Sequence, residues 1–391
     1  PFRQPVVQPR IYTPEPQPQS APSGLYKGHD EAVIVACFFN PQNSPYRLLA
    51  FQKWYRTIKH LNHRIIECLI GEDAASQLPA SPYITQVETD SLLFHKESLL
   101  NKVIADLPAK FKYVFWLDTD VLFTNPNWLV ESVKKMEDGV NIVQPFAYCV
   151  HLKRNEIEPS FDVDAVRYKC DDAKGRHPEV WRSFCYNYVN NTAITTNHNY
   201  DIHGHVGFAW AARRDLLDSI QLYDRALIGG ADHIIAHAAA GQIPCHCISR
   251  AFTLEIDSVT EWSQQFFEVA KGKIGYVDGD LYHIWHGDIK NREYLKRIRE
   301  YATEIQFITR RDKNGLWIYD GNNTYMKRYY RQREAVYDVE EGFDGFDFGF
   351  AEEMGYILAD LIDSFGQPTY EDVQPTYDPP TPSIPMSDPV Q

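Results

Sequence analysis

Residues 113–123 read Tyr-Val-Phe-Trp-Leu-Asp-Thr-Asp-Val-Leu-Phe. Five apolar or aromatic side chains in a row leave no polar face, so the run suits a strand covered on both sides. Such a strand belongs in the middle layer of an α/β structure, between helices. It ends in two carboxylates separated by one residue. Positions i and i+2 of an extended chain point the same way, so Asp118 and Asp120 can address one cation. Hard oxygen ligands suit Mg²⁺ or Mn²⁺, which bridge carboxylates to a diphosphate. Asp-x-Asp is common in solvated loops. Here it closes an apolar strand, at the carboxyl edge where open α/β sheets take ligands.

The rest of the body supplies partners for that strand. Residues 33–39, Val-Ile-Val-Ala-Cys-Phe-Phe, form a second doubly buried run bounded by Asn40-Pro41. Residues 46–60 place Leu48, Phe51, Trp54, Tyr55 and Ile58 at helical spacing. Further strands are expected over 64–70, stopped by Gly71, over 112–117 and over 141–144. A helix is expected over 94–107, ended by Pro108. Strands alternating with helices imply a parallel, doubly wound sheet.

Length and composition set the frame. A chain of 391 residues with 44% hydrophobic and 24% charged residues has room for a large core. Its formal net charge is −14, but residues 331–391 carry −12 of it, leaving −2 for the body. A basic nucleic-acid face is therefore not expected. Residues 1–28 read as a flexible Pro/Gln-rich arm, 29–335 as the folded body, and 336–391 as an acidic tail, first Gly/Phe-rich and then Pro-rich. The tail segment Gly342 to Phe350 could dock on a protein partner or fold back on the body. No apolar run approaches the roughly 20 residues needed to span a bilayer, and the start does not read as a signal peptide. The sequons Asn190-Asn191-Thr192 and Asn322-Asn323-Thr324 say little without evidence of secretion.

Seven cysteines, an odd number without framework spacing, are expected to be mostly reduced and buried. Cys245-His246-Cys247 is the one close pair, and a zinc site would need a second pair or matched histidines.

Two further segments carry chemistry. His283 and His286 in Tyr-His-Ile-Trp-His-Gly-Asp could close a metal site, and a nitrogen ligand tilts the choice towards Mn²⁺. Either histidine could equally be a core residue. Gly229-Gly230-Ala231-Asp232 opens an apolar helix. Asp232 can be read as a general base at an acceptor or as the helix N-cap. Aromatics are abundant at 14%, and Trp210, Trp285 and Tyr282 could line a sugar site or simply fill the core.

Together these residues resemble GT-A fold glycosyltransferases. Asp118-Thr119-Asp120 is similar to the family's metal-binding Asp-x-Asp. Gly207-Phe208-Ala209-Trp210, then Tyr223-Asp224, then Gly229-Gly230-Ala231-Asp232 resemble the C-terminal part of β-1,4-galactosyltransferase-like enzymes. Phe94 to Asn101 also looks like a segment of bacterial and viral relatives without assigned substrates. The resemblance spans about residues 31–300. It implies a GT-A type, Rossmann-like doubly wound mixed sheet and a metal-dependent transfer from a nucleotide-sugar, UDP-sugar foremost, to a glycan or other hydroxyl acceptor. It further implies Asp232 as base, inverting chemistry, and Mn²⁺ (or Mg²⁺) on Asp120 and His286 with Asp118 and His283 contributing. Phe38, Asn40 and Arg47 fall where this class holds the nucleotide, as does Asp90, similarly placed to a base-contacting Asp; Asp118 would add a ribose or metal-water contact. Ala231 stands where the family has a Glu that holds the acceptor, so acceptor identity does not carry over. The family's Golgi anchor and disulfide pattern are missing, which makes a cytoplasmic setting the expectation.

Two other classes stay open. A metal-dependent nucleotidyltransferase shares the sheet and the metal, but would carry a basic Gly-rich loop where this chain has Asn40 to Pro45. A binding or structural protein on a degenerate transferase body would also fit the Pro-rich arms.

Overall fold

The computed structural model describes residues 26–71, 74–172, 179–191, 195, 202–253, 255–287, 289–292, 309–319 and 324–334. Tertiary contacts divide the chain into Pro1–Val336 and Tyr337–Gln391. Most of the expected N-terminal arm, the acidic tail, Asn322-Asn323 and Thr192 lie outside the described residues.

In chain order the strands are β1 (Ala32–Phe39), β2 (His63–Ile70), β3 (Ile84–Thr89), β4 (Tyr113–Leu117), β5 (Val121–Phe123), β6 (Ile142–Gln144), β7 (Tyr148–His151), β8 (Val180–Arg182), β9 (Ala209–Arg213), β10 (Ile274–Tyr276) and β11 (Asp280–His283). A further pair, Thr309–Arg311 and Trp317–Tyr319, forms a two-stranded sheet of its own.

The main sheet has seven strands in the order β10-β6-β9-β4-β1-β2-β3. β1 pairs in parallel with β2 on one side and β4 on the other. β3 extends the parallel set beyond β2. The parallel arrangement implied by alternating strands and helices holds for β1 to β4, while β9 runs antiparallel to both β4 and β6, in keeping with the mixed sheet that the resemblance implies. The doubly wound sheet is therefore mixed.

Apolar side chains on both faces explain why these strands sit inside. Val33, Val35, Val114 and Trp116 pack with Leu100, Ile104, Ile235 and Phe266 from three helices. From the alternate positions, Phe38 meets Phe51 of the helix Pro45–Ile58, and Phe115 meets Trp128 of the helix Trp128–Glu137. Each such fully buried side chain stabilises the fold by about 1.5–3 kcal/mol.

The order turns at β1. The chain builds β1, β2 and β3 outward, then returns to lay β4 on the other side of β1. A crevice opens at the carboxyl ends of strands at such a reversal. Here those ends deliver Phe38, Phe39 and Asp118.

After Asp118 the chain leaves the main sheet. A second sheet, in the order β5-β11-β7-β8, begins directly after Asp120. β11 pairs antiparallel with β5, setting His283 opposite Val121, and parallel with β7, setting His283 opposite His151. The long separation in sequence between the carboxylate motif and the histidine segment is thus closed by one strand pairing.

No helix among the described residues is long and apolar enough to cross a membrane. The described cysteines that are free are Cys37, Cys68, Cys149, Cys185, Cys245 and Cys247, all buried except the half-buried Cys37.

Candidate active site

A cleft of about 410 Å³ lies at the carboxyl ends of β1 and β4. Its wall includes Asp118, Thr119, Asp120, Asp232, His283 and His286. Backbone hydrogen bonds fix the carboxylate turn from two sides. The Asp118 N–H donates to the carbonyl of Phe208 at 2.7 Å, and the Ile284 N–H donates to the carbonyl of Asp120 at 2.8 Å.

Asp120 faces the histidines. Its Oδ2 lies 2.8 Å from His286 Nε2 and 3.8 Å from His283 Nε2. Its Oδ1 is buried without a hydrogen-bond partner. A buried carboxylate oxygen is normally satisfied, so an orphan of this kind marks a place for a ligand. One donor atom from each of Asp120, His283 and His286 falls within 4.8 Å of the others. One oxygen and two imidazole nitrogens at that spacing fit a divalent cation such as Mn²⁺.

The surroundings disfavour the protonated form of both imidazoles. Burial holds His286 well below the usual histidine range, and the Arg292, Arg47 and Arg333 guanidinium groups push the same way. Burial also depresses His283, with Asp120 opposing and Arg292 adding to it. Arg292 Nη2 donates towards both rings, 3.0 Å from His286 Nε2 and 3.3 Å from His283 Nε2. On the far side of the His283 ring, Nδ1 lies 3.3 Å from His151 Nδ1. A hydrogen bond at the second ring nitrogen sets the orientation of a metal-type histidine.

Asp118 turns the other way and lies outside that donor set. Its Oδ1 is 2.7 Å from Lys96 Nζ, and the same ammonium is 3.1 Å from Asp232 Oδ2. Burial opposes the charge on Lys96, but Asp118 and Asp232 hold its proton affinity well above the ordinary lysine value. Burial raises Asp232 above the usual carboxylate range, with Lys96 pulling it back and Asp118 pushing it further up.

The two readings of Asp232 separate here. The helix Ala231–Ala239 takes Gly230 as its N-cap, with φ of 100°, and has no side-chain cap hydrogen bond. Gly229 is also in the left-handed region at 87°. Two consecutive residues of this kind need glycine, and they swing the first helical turn so that Asp232 enters the cleft. The capping reading is therefore not realised.

The nucleotide residues expected from the resemblance divide. Phe38 and Arg47 line the cleft. Asn40 does not: its amide donates to the Ser44 carbonyl and to Gln77 Oε1, and its oxygen accepts from the Ser44 N–H, so it holds the loop after β1 together. Asp90 is exposed at the end of β3 and is not part of the cleft wall. Trp210 is buried against Trp116 and donates to the Val206 carbonyl, and Trp285 packs edge-on against Tyr46; neither lines the cleft, nor does Tyr282. Phe208 is aromatic wall instead, stacked on His205 and His283 with φ of 81°. That conformation is uncommon for a bulky residue, and such outliers cluster at functional sites.

Sequence reasoning missed Lys96, Glu97, Arg292 and Arg333 as members of this wall. Lys96 and Glu97 lie in the segment Phe94 to Asn101, whose one sequence signal is its resemblance. Nothing in the local pattern distinguishes Arg292 from a surface arginine.

No family model matches the chain, and no curated protein matches its sequence. Solved structures similar to it include three transferases or synthases. Glucosyl-3-phosphoglycerate synthase of Mycobacterium tuberculosis, in complex with Mn²⁺, uridine diphosphate and glucosyl-3-phosphoglycerate, is 12% identical; the match covers 65% of this chain and 72% of that one, with a TM-score of 0.32. TarS of S. aureus (residues 1–349) is 10% identical over 85% of this chain and 80% of its own, with a TM-score of 0.31. The catalytic domain of Drosophila β1,4-galactosyltransferase 7, in complex with xylobiose, is 9% identical over 79% and 83%, with a TM-score of 0.28.

Proposed function

We propose that this chain is a metal-dependent GT-A type glycosyltransferase that moves a sugar from a nucleotide-sugar, UDP-sugar foremost, to a hydroxyl acceptor. One observation carries the reading. The Asp118-Thr119-Asp120 turn is a shared wall, with a metal-type donor set on the Asp120 side and an ammonium-bridged carboxylate pair on the Asp118 side.

Asp120, His283 and His286 would hold Mn²⁺, and the charge it would supply there is the kind that offsets negative charge on a departing nucleoside diphosphate. Arg47, Arg292 and Arg333 line the same cleft and supply fixed positive charge for the diphosphate oxygens. Phe38 offers an apolar contact beside them. Asp118, held by Lys96, would accept a hydrogen bond from the donor's ribose. Asp232 accepts the proton of the acceptor hydroxyl as that oxygen attacks the anomeric carbon. Burial makes Asp232 a stronger base than a surface aspartate, and the Lys96 ammonium beside it favours the ionised form. A base on the acceptor side belongs to a single displacement, which inverts the anomeric centre.

The test is nucleotide release from UDP-, GDP-, CMP- and dTDP-sugars with Mn²⁺. Release from UDP-sugars that stops in EDTA and returns with added Mn²⁺ is the expected result. Release equal to the no-enzyme background with every donor would remove the transferase reading.

A further inference from the structure

Four side chains that the transfer chemistry does not use converge at one edge of the cleft, where His203 and His233 form part of its wall. His233 and His237 sit one turn apart on the helix Ala231–Ala239, His203 precedes β9, and Cys247 lies in the short helix His246–Ala251. All four are buried, and one ligand atom from each lies within 4.8 Å of the other three. The three imidazole rings are mutually equidistant, with centroids 5.0–5.1 Å apart. Cys247 Sγ is 3.5 Å from His237 Nε2. In a tetrahedral zinc site with ordinary Zn–N and Zn–S bonds, nitrogen and sulfur are separated by about 3.6 Å.

Ring orientation adds a second observation. His237 Nδ1 lies 3.0 Å from Gln242 Oε1, and Gln242 is itself held by its Nε2 donating to Thr195 Oγ1. His203 Nδ1 lies 2.8 Å from the Gly204 carbonyl. A carbonyl oxygen only accepts, so both Nδ1 atoms carry the proton and both Nε2 atoms keep a lone pair. Histidines that bind metals are oriented in this way by their second nitrogen. The donor set contains no carboxylate. Three imidazoles and one thiol favour zinc over the hard cations that suit Asp120.

We propose that His203, His233, His237 and Cys247 form a structural Zn²⁺ site, distinct from the Asp120 set. Four protein ligands fill the tetrahedron and leave no open position, which is the mark of a structural rather than a catalytic zinc. On binding, the Cys247 thiol releases its proton to solvent and its sulfur bonds the metal. The close pair Cys245-His246-Cys247 lacks matched histidines in its own neighbourhood; the fold brings them from elsewhere. Cys245, 3.4 Å from Cys247 through sulfur, flanks the site without completing it. The zinc would tie the helix that carries Asp232 to two other segments and so hold the base in place.

The experiment uses the full chain, reduced and stripped of metal, with Co²⁺ alone as the probe. The wild-type protein should gain a thiolate-to-cobalt charge-transfer band in the near ultraviolet, saturating at one equivalent and bleached by Zn²⁺. Cys247→Ser should lose the band, while Cys245→Ser, Cys149→Ser and Asp120→Asn keep it. His203→Asn should weaken Co²⁺ binding by about 100-fold or more. Cys247→Ser alters a buried position, so the wild-type spectrum stands as an independent reading: no thiolate band there overturns the proposal whatever the variants do. A band that survives Cys247→Ser, or one that vanishes with Cys149→Ser or Asp120→Asn, overturns it too.

Discussion

Lys96 Nζ reaches Asp118 Oδ1 at 2.7 Å and, by the same ammonium, binds Asp232 Oδ2 at 3.1 Å. The proposed base and the first carboxylate of the Asp-Thr-Asp turn therefore share one counter-charge. Replacing Lys96 by Met removes the group that opposes burial at Asp232, so its proton affinity should rise. The acidic limb of the pH–rate profile should move to higher pH, with turnover falling at least about tenfold at pH 6 and less at pH 8. A uniform loss at every pH would leave Lys96 as a packing element only.

Asp120 and Asp232 should fail differently. Asp120→Asn removes a charged donor from the cation set, so nucleotide-sugar affinity in Mn²⁺ and turnover should drop together. Asp232→Asn keeps the shape but accepts no proton, so turnover should fall about 10² or more with donor affinity nearly unchanged. Calorimetry with Mn²⁺ and single-turnover transfer separate the two. Near-normal transfer by the Asp232→Asn protein would take Asp232 out of the mechanism.

Glu97 gives the fold a pH dependence of its own. Burial pushes its carboxyl up to about 8, opposed by Lys96 and reinforced by Asp232 and Asp118. Between the ordinary carboxylate value and about 8 the folded chain keeps a proton that the unfolded chain has lost. Stability is therefore fully present at acid pH in this respect and declines as pH rises towards 8. Asp232, also raised, acts in the same direction. Melting temperatures measured from pH 5.5 to 8.5 should fall, and Glu97→Gln should flatten much of the slope. An unchanged slope in Glu97→Gln would assign the effect to other groups.

Gly204 separates His203 from His205 and has φ of 102°. A Cβ placed there would lie 2.7 Å from the Ser183 carbonyl oxygen and 2.9 Å from the Phe184 backbone. Gly204→Ala should cost about 1–3 kcal/mol of stability, read by urea denaturation. A loss below about 0.5 kcal/mol would mean that this backbone relaxes freely.

The legible part of the fold was the part whose burial is local. Val33 to Phe39 and Tyr113 to Leu117 are covered on both faces, so each reads as an unbroken apolar run. The strands of the second sheet are three or four residues long, too short for any period to show. The reversal of β9 could not be read because it is set by which strands it lies between, not by its own side chains. The same distinction governs the site. Asp118, Asp120, His283 and His286 stand in recognisable local patterns. Lys96 acquires its role only because two distant elements bring Asp118 and Asp232 to its ammonium. Asn40 shows the converse: it fits the position expected of a ligand contact, but its amide is consumed by its own loop.

Between Leu117 and Val121 the polypeptide passes from the large sheet to the small one. The three-residue bridge is also the seam of the chemistry. Asp118 is pinned to the large sheet through Phe208, and Asp120 to the small one through Ile284. An added or deleted residue here would throw one sheet out of step with the other and disassemble both halves of the cleft at once. A descendant of this chain can exchange a side chain in the bridge and keep both sheets in step. It cannot change the bridge's length without giving up its architecture.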